Sequence, residues 1–408
     1  MSRVTTLLLA GGKGTRLAPL TDDDAKPAIP FGGVYRIIDF TLSNCINSNL
    51  NRVLVLTQFK SMSLDRHINQ TWRNMVNWQK GEFIETVPAQ QRLDENWYRG
   101  NADAVFQNIY AIEKDNPDYV VVLAGDHVYK MDYQLMLDHH IKNNANVTVG
   151  GLPVPVADAA GQFGVMQVDK ETRIVGFEEK PASPKPIPSD PGVCLASMGI
   201  YIFSADFLFE QLCKSNIKEN TRHDFGRDVI PSSIKGGKVF AYQFRDKQTL
   251  GPGYWRDVGT LDSYFDANMD LLSRNPEILL DDSAWPVWHT ETKRSPARVF
   301  PATANHEVPA SQISMISAGC RVQGVVSQSV LGPGCIVGDS ATVQDCILFD
   351  EVIIEPGARV RGAIIGSGVK IPSGCRIGFH READEALGVT ITEQGRAVIS
   401  RSPPYKCN

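Results

Sequence analysis

Residues 4–27 read VTTLLLAGGKGTRLAPLTDDDAKP. Val4–Leu9 is a short apolar run that ends in glycine, so it reads as a buried strand. It leads straight into Gly11, Gly12 and Gly14, which let the backbone turn tightly with its N–H groups exposed. A turn of this kind cradles phosphate oxygens, and Lys13 and Arg16 add positive charge to it. The loop is not G-x-x-x-x-G-K-[ST]. It is not G-x-G-x-x-G either, because Leu17 stands where the third glycine would be. Taken alone, it serves a structural turn as readily as a ligand.

Downstream, Val53–Thr57, Tyr119–Leu123, Val147–Leu152 and Ile200–Phe203 repeat the buried-strand pattern. Helical patterns lie between them. Asn101 is expected to cap a helix whose apolar face is Val105, Ile109 and Ile112. Alternating strands and helices predict an α/β domain with a mostly parallel sheet over residues 1–272. Residues 273–310 are proline-rich and lack periodicity, and they read as a linker packing through Trp285 and Trp288. Val330, Ile336, Ile347, Ile353, Ile364, Ile371 and Ile377 then recur at hexapeptide spacing among glycines, as in GPGCIVGDSATV (332–343) and EPGARVRGAIIGSGV (355–369). That pattern predicts a parallel β-helix within residues 311–408, its repeat clearest from 311 to 378; antiparallel hairpins are the alternative. Open ends and flat faces suit such a coil to assembly with other subunits.

Composition narrows the function. The chain has 408 residues, enough for two or three domains. Its 41 basic residues against 46 acidic ones give a net charge of −5, which excludes a chain-wide nucleic-acid footprint. No apolar run approaches the ~18 residues of a membrane span, and MSRVTTLLLAGG lacks a signal-peptide cleavage pattern. A cytoplasmic protein is expected, with no membrane partner. The eight cysteines form no C-x-x-C pair and the eight histidines no H-x-x-x-H, so a zinc site is not expected and the cysteines read as thiols.

The glycine loop is followed, in order, by FGGVYRIIDFTLSNCINS, PAQQR, WYRGNADAVFQN, LAGDHVYKMDY, FGVM, EEKP, ASMGIYIF, HDFGRDVIP and YWRDVGT. This series resembles the sugar-1-phosphate nucleotidyltransferases, in their ADP-glucose pyrophosphorylase branch, over nearly the whole chain. The resemblance implies a Rossmann-like catalytic domain and a left-handed β-helix. It implies transfer of a nucleotidyl group from ATP to α-D-glucose 1-phosphate, with Mg²⁺ as cofactor. It further implies a homotetramer controlled by small anionic effectors. By the same resemblance, Arg16, Lys26 and Asp126 are catalytic, and Asp126 and Asp257 hold the metal. Gly11, Gly12, Gly14, Thr15, Gln91, Tyr98 and Gly100 bind ATP. Gly164, Glu179, Lys180, Ser197, Tyr201 and Asp224, with Tyr98, bind the sugar phosphate.

The chemistry of these residue types agrees. A sugar phosphate is already ionised at pH 7, since its second pKa is about 6, so no general base is needed. The work left is aligning anions and stabilising charge, which suits lysine, arginine and a hard cation on carboxylates. Asp126 follows a strand, where open α/β sheets bind ligands. His127 reads as structural rather than as a base. The Gln91 amide offers both a donor and an acceptor to an adenine edge, and Gly100 would leave the base room.

Two departures stand out. Asp22, Asp23 and Asp24 lie where related enzymes activated by sugar phosphates carry basic residues, and they would repel such an activator. Arg36 remains a candidate effector contact. Asn101 gives NADA where relatives often have TADA, and either residue would cap a helix. No N-terminal regulatory extension is expected. Three alternatives stay open: synthesis of a UDP-, dTDP- or GDP-sugar, a non-catalytic regulatory subunit, and acyl transfer by the β-helix around His380.

Overall fold

The computed structural model describes residues 2–90, 97–188, 190–218, 220–246, 251–289, 293–300 and 313–400. The chain divides into two compact units. The first comprises Met1–Gly12, Thr41–Gly125 and Tyr129–Trp255, and the second Lys13–Phe40, Asp126–Val128 and Arg256–Asn408.

The first unit holds a nine-stranded sheet. At its centre Val4–Leu9 pairs in parallel with Arg52–Thr57 and Tyr119–Ala124, Leu7 lying opposite Leu54 and Val122. Phe83–Pro88 continues the parallel ladder beyond Arg52–Thr57. Alternate residues point to opposite faces. Leu7, Val120 and Val122 pack with Val105, Leu208 and Leu212 in one core, while Leu8, Val121 and Leu123 are also fully buried. Covering both faces is what makes these strands read as unbroken apolar runs.

The Ile200–Phe203 run is the end of a longer strand, Val193–Ser204. It runs antiparallel to both Tyr119–Ala124 and Val147–Pro155. Its register against Val147–Pro155 shifts between Ser197 and Tyr201, where Gly199 takes φ +69°. Such a bulge re-aims the side chains on either side of it.

The helix after Gly100 differs from expectation. It spans Asn101–Gln107 and is followed by a separate helix, Ile109–Lys114. Gly100 occupies the capping position, so Asn101 is the first helical residue and its side chain does not cap. The break falls at Asn108, whose amide donates both to the Ala104 carbonyl and to the Tyr98 hydroxyl, at 2.8 Å each.

The second unit contains the β-helix. Arg321–Val322, Ile336–Val337, Ile353–Ile354 and Lys370–Ile371 stack in parallel. On another face Val330–Leu331, Thr342–Leu348 and Arg359–Ile365 do the same. From Ile336 to Ile353 to Lys370 each coil advances the chain by 17 residues. The inward-facing Val322, Val337, Ile354 and Ile371 form its core with Val343, Val360 and Ile377. The stack extends beyond 311–378: Arg298–Val299 already pairs with Arg321–Val322, and Ala397–Ile399 pairs with Arg359–Ile365. In the stretch read as a linker the buried anchors are Ile278 and Val287, while Trp288 stays 40% exposed.

Helix Leu261–Asp270 belongs to the same unit. Its Asn268 accepts from the Gly32 N–H at 2.9 Å, and its Tyr264 hydroxyl donates to the Pro30 carbonyl. Thr392 donates to Asp262 at 2.5 Å, and the Arg396 guanidinium lies 4.2 Å from the Phe265 ring centroid. Cys45, Cys194, Cys320, Cys335 and Cys346 are buried thiols. Cys375, by contrast with the thiol reading, is disulfide-bonded. Among the described residues no helix is long and apolar enough to cross a membrane.

Candidate active site

Two clusters of the predicted residues form, one in each unit. The first lies in the second unit. Gly14 adopts φ +64°, which starts the Thr15–Leu17 turn and favours glycine. A Cβ at Gly14 would press on Thr21 and Lys26 at 3.1 and 3.2 Å. Lys26 is buried and paired. Its ammonium donates to Asp126 Oδ2 at 2.7 Å and lies 3.4 Å from Asp257 Oδ1. Arg16 reaches the same place: a Cβ at Gly259 would sit 2.9 Å from Arg16 Nη2 and 3.0 Å from Asp257 Oδ1. Thr15 and Lys13 are exposed on this loop.

Burial alone would raise the Asp126 carboxyl. The Lys26 charge and hydrogen bond, helped by His127, override it and hold Asp126 well below the usual carboxylate range. Asp126, His127 and Asp257 each present one ligand atom, all within 4.8 Å of one another. Two carboxylates beside an imidazole suit a hard divalent cation, so the residues present fit such an ion.

Arg36 is also in this unit. It donates from Nη1 to the Ala28 carbonyl, and its backbone N–H reaches Asp39 at 2.7 Å. Burial raises the Asp350 carboxyl, and Arg36, then Arg294, oppose that rise.

The second cluster lies in the first unit and gathers Gly164, Glu179, Ser197, Tyr201 and Asp224. A Cβ at Gly226 would lie 2.5 Å from Glu179 Oε2, and one at Gly164 2.8 Å from the same oxygen. Both glycines therefore make space for this carboxylate. Burial and then Asp224 raise the Glu179 carboxyl, against Lys180 and Arg227. Tyr201 is buried and stacks on Phe225 with ring centroids 5.4 Å apart. Burial, with Asp224 adding to it, pushes its hydroxyl well above the ordinary range. Lys180 is exposed and holds φ +51°, with its N–H on the Phe163 carbonyl at 3.1 Å. Asp224 caps the Phe225–Val229 turn by accepting from the Arg227 N–H.

The remaining predicted residues of this unit that the structure describes are Gly11, Gly12, Tyr98 and Gly100. Gln58 donates to the Tyr98 carbonyl at 3.4 Å, and a Cβ at Gly11 would lie 3.1 Å from Gln58 Cβ. Nothing lies within 4 Å of a Cβ at Gly12, so that stretch of loop backbone is open. At Gly100 the space a Cβ would fill is taken by the His223 carbonyl, so that glycine serves backbone contact rather than room for a base. Gln91 lies outside the described residues.

Sequence reasoning missed Asn101, Gly226 and Gly259 as parts of these clusters. Each acts on a partner far along the chain or through the absence of a side chain, and no local pattern marks either.

Two known protein families match successive parts of the chain. Residues 5–274 match the nucleotidyl transferase family, and residues 295–399 match the GlmU-like C-terminal hexapeptide family. The chain is 50% identical over 404 residues to the glucose-1-phosphate adenylyltransferase of Rhodopirellula baltica, covering 98% of this chain and 90% of that one. It is 49% identical to the enzyme of that name from Shewanella sp. strain ANA-3, covering 97% of this chain and 94% of that one. The protein is therefore a nucleotidyltransferase with a hexapeptide β-helix. Within that class the chain belongs to the glucose-1-phosphate adenylyltransferase family.

Proposed function

We propose that this chain transfers the adenylyl group of ATP to α-D-glucose 1-phosphate, giving ADP-glucose and pyrophosphate for α-glucan (glycogen-type) synthesis. The observation that carries the reading is the Lys26–Asp126–Asp257 cluster with Arg16 beside it. A phosphate oxygen of the sugar phosphate attacks the α-phosphorus of ATP. The bond from that phosphorus to the bridging oxygen breaks, and the electron pair leaves on pyrophosphate. The nucleophile is already ionised at pH 7, so His127 has no proton to take.

Arg16 and Lys26 supply positive charge to the triphosphate and the leaving pyrophosphate. Asp126 and Asp257 would hold a divalent cation, Mg²⁺ in this reading, which adds charge neutralisation at the phosphates when bound. Gly11, Gly12, Gly14 and Thr15 cradle the nucleotide phosphates, with Tyr98 and Gln91 toward the base. Lys180 grips the sugar phosphate, while Glu179, Ser197, Tyr201 and Asp224 surround the sugar. Arg16, Lys26, Asp126, Lys180 and Asp257 are all present, which favours a catalytic subunit over a regulatory one.

We assign catalysis to residues 1–272 and assembly and regulation to 311–408, in a cytoplasmic homotetramer answering to small anionic metabolites. Asp22 and Asp23 are exposed beside the partly buried Asp24, which argues against sugar bisphosphates as activators. The experiment is pyrophosphate release from glucose 1-phosphate with each nucleoside triphosphate, with and without glycolytic metabolites. ATP should support turnover far better than UTP, dTTP or GTP. Preference for another nucleotide would move the chain to a sister activity.

A further inference from the structure

We infer that Asn101 is a positioning residue for the sugar site, acting through the 223–226 loop; this rests on the reading of Glu179, Tyr201 and Asp224 given above. The Asn101 side chain spends both ends of its amide on one loop. Its Nδ2 donates to Asp224 Oδ2 at 3.0 Å and its Oδ1 accepts from the Phe225 N–H at 2.8 Å. The orientation is fixed by chemistry, since an ionised carboxylate only accepts and a backbone N–H only donates. The neighbouring backbone reinforces the contact: the Ala102 N–H donates to the His223 carbonyl at 2.9 Å, and Gly100 packs directly on it. His223 itself holds φ +54°, a conformation a non-glycine residue keeps only when its surroundings fix it.

The loop so held forms one wall of the Glu179–Tyr201 cluster. Phe225 stacks on Tyr201 at an interplanar angle of 25°. Gly226 lies against Glu179 Oε2. The other oxygen of Asp224 accepts from the Arg227 N–H at 2.9 Å, so Asn101 holds the remaining one. A loop displaced at residues 224–225 moves the Tyr201 ring partner and the Glu179 neighbour together. Threonine at 101 has a shorter side chain whose single oxygen must do from one position what the Asn101 amide does from two atoms, donate to Asp224 and accept from the Phe225 N–H. Aspartate can accept from Phe225 but places a second carboxylate against Asp224.

The test is steady-state kinetics of the full-length protein with Asn101→Ala, Asn101→Thr, Asn101→Asp and, as a check on the site itself, Glu179→Gln. Asn101→Ala should raise the KM for glucose 1-phosphate about tenfold through loss of bonds to a charged group and a buried loop. It should leave the KM for ATP within about twofold, with Asn101→Thr in between. Asn101→Asp should be worse than alanine at pH 8. A raised glucose 1-phosphate KM in Glu179→Gln, with unchanged values in all three Asn101 variants, would overturn the inference and leave the site standing. Equal damage to both substrates, or a loss tracking melting temperature alone, would also overturn it. Normal kinetics in Glu179→Gln would instead remove the sugar-site reading on which it rests.

Discussion

Gly226→Ala probes the sugar cluster through one methyl group. The new Cβ would lie 2.5 Å from Glu179 Oε2, 3.2 Å from its Cδ and 3.3 Å from Asp224 Oδ1. Carbon atoms need ~3.5 Å, so the Glu179 carboxylate must retreat by roughly 1 Å. It sits at the end of a flexible side chain, so the chain folds around the methyl group at a cost of about 1 kcal/mol. A misplacement of that size at a substrate contact weakens function by about tenfold to a hundredfold. The KM for glucose 1-phosphate should rise by that factor, and the KM for ATP by less than about threefold. Gly236→Ala is the matched control, because nothing lies within 4 Å of a Cβ there. The assay is initial-rate kinetics with each substrate varied, alongside thermal denaturation of both variants. An unchanged glucose 1-phosphate KM in a folded Gly226→Ala protein would refute Glu179 as a sugar contact.

Other outcomes follow from the same geometry. If Lys180 grips the sugar phosphate, Lys180→Ala should raise the KM for glucose 1-phosphate tens-fold, with little change for ATP, because that phosphate is charged before and during attack; an ATP-side defect would mean the two phosphate sites are exchanged. Lys180→Arg should restore only part of the binding, since a planar fork replaces a point charge. Glu179 titrates above the ordinary glutamate range because it is buried. As pH falls through that raised value it gains a proton and loses an acceptor for sugar hydroxyls, so glucose 1-phosphate affinity should fall on acidification, the loss setting in at a higher pH than an exposed glutamate would give. Glu179→Gln should flatten that acid limb, and a limb of unchanged shape would count against the assignment. A chain ending at residue 293 removes the ring of Phe349 from Tyr264 and the guanidinium of Arg396 from the Phe265 ring. It should lose native assembly by light scattering and tend to aggregate; unchanged mass per chain and activity would contradict an assembly role for the coil.

The sequence made the sheet and the coil legible for different reasons. Val4–Leu9 and Tyr119–Ala124 are buried on both faces, so burial writes itself as a continuous apolar run. The coil repeats its inward residues at fixed intervals, which survives as spacing. Its first rung was not legible, because Arg298–Val299 contributes two residues with no glycine or isoleucine pattern. Asn101 fits the pattern of a helix cap, but Gly100 at φ −175° already occupies that position, and the amide turns to a loop more than a hundred residues away. Lys26 was read as a phosphate ligand on a loop. Its pairing with Asp126 and Asp257 spans 100 and 231 residues, beyond any local signal. The site was therefore legible as a set of motifs, and its glycine spacers and long-range bonds were not.

The central claim is that the Lys26–Asp126–Asp257 cluster is the reaction centre, and Asp126→Asn tests it most directly. The substitution keeps the shape of the side chain and removes one charge from the carboxylate pair. Pyrophosphate release from ATP and glucose 1-phosphate should be measured at saturating substrates and Mg²⁺, with the melting temperature recorded in parallel. The account predicts turnover lower by at least about a hundredfold in a protein that still folds. Near-normal turnover under those conditions would contradict it.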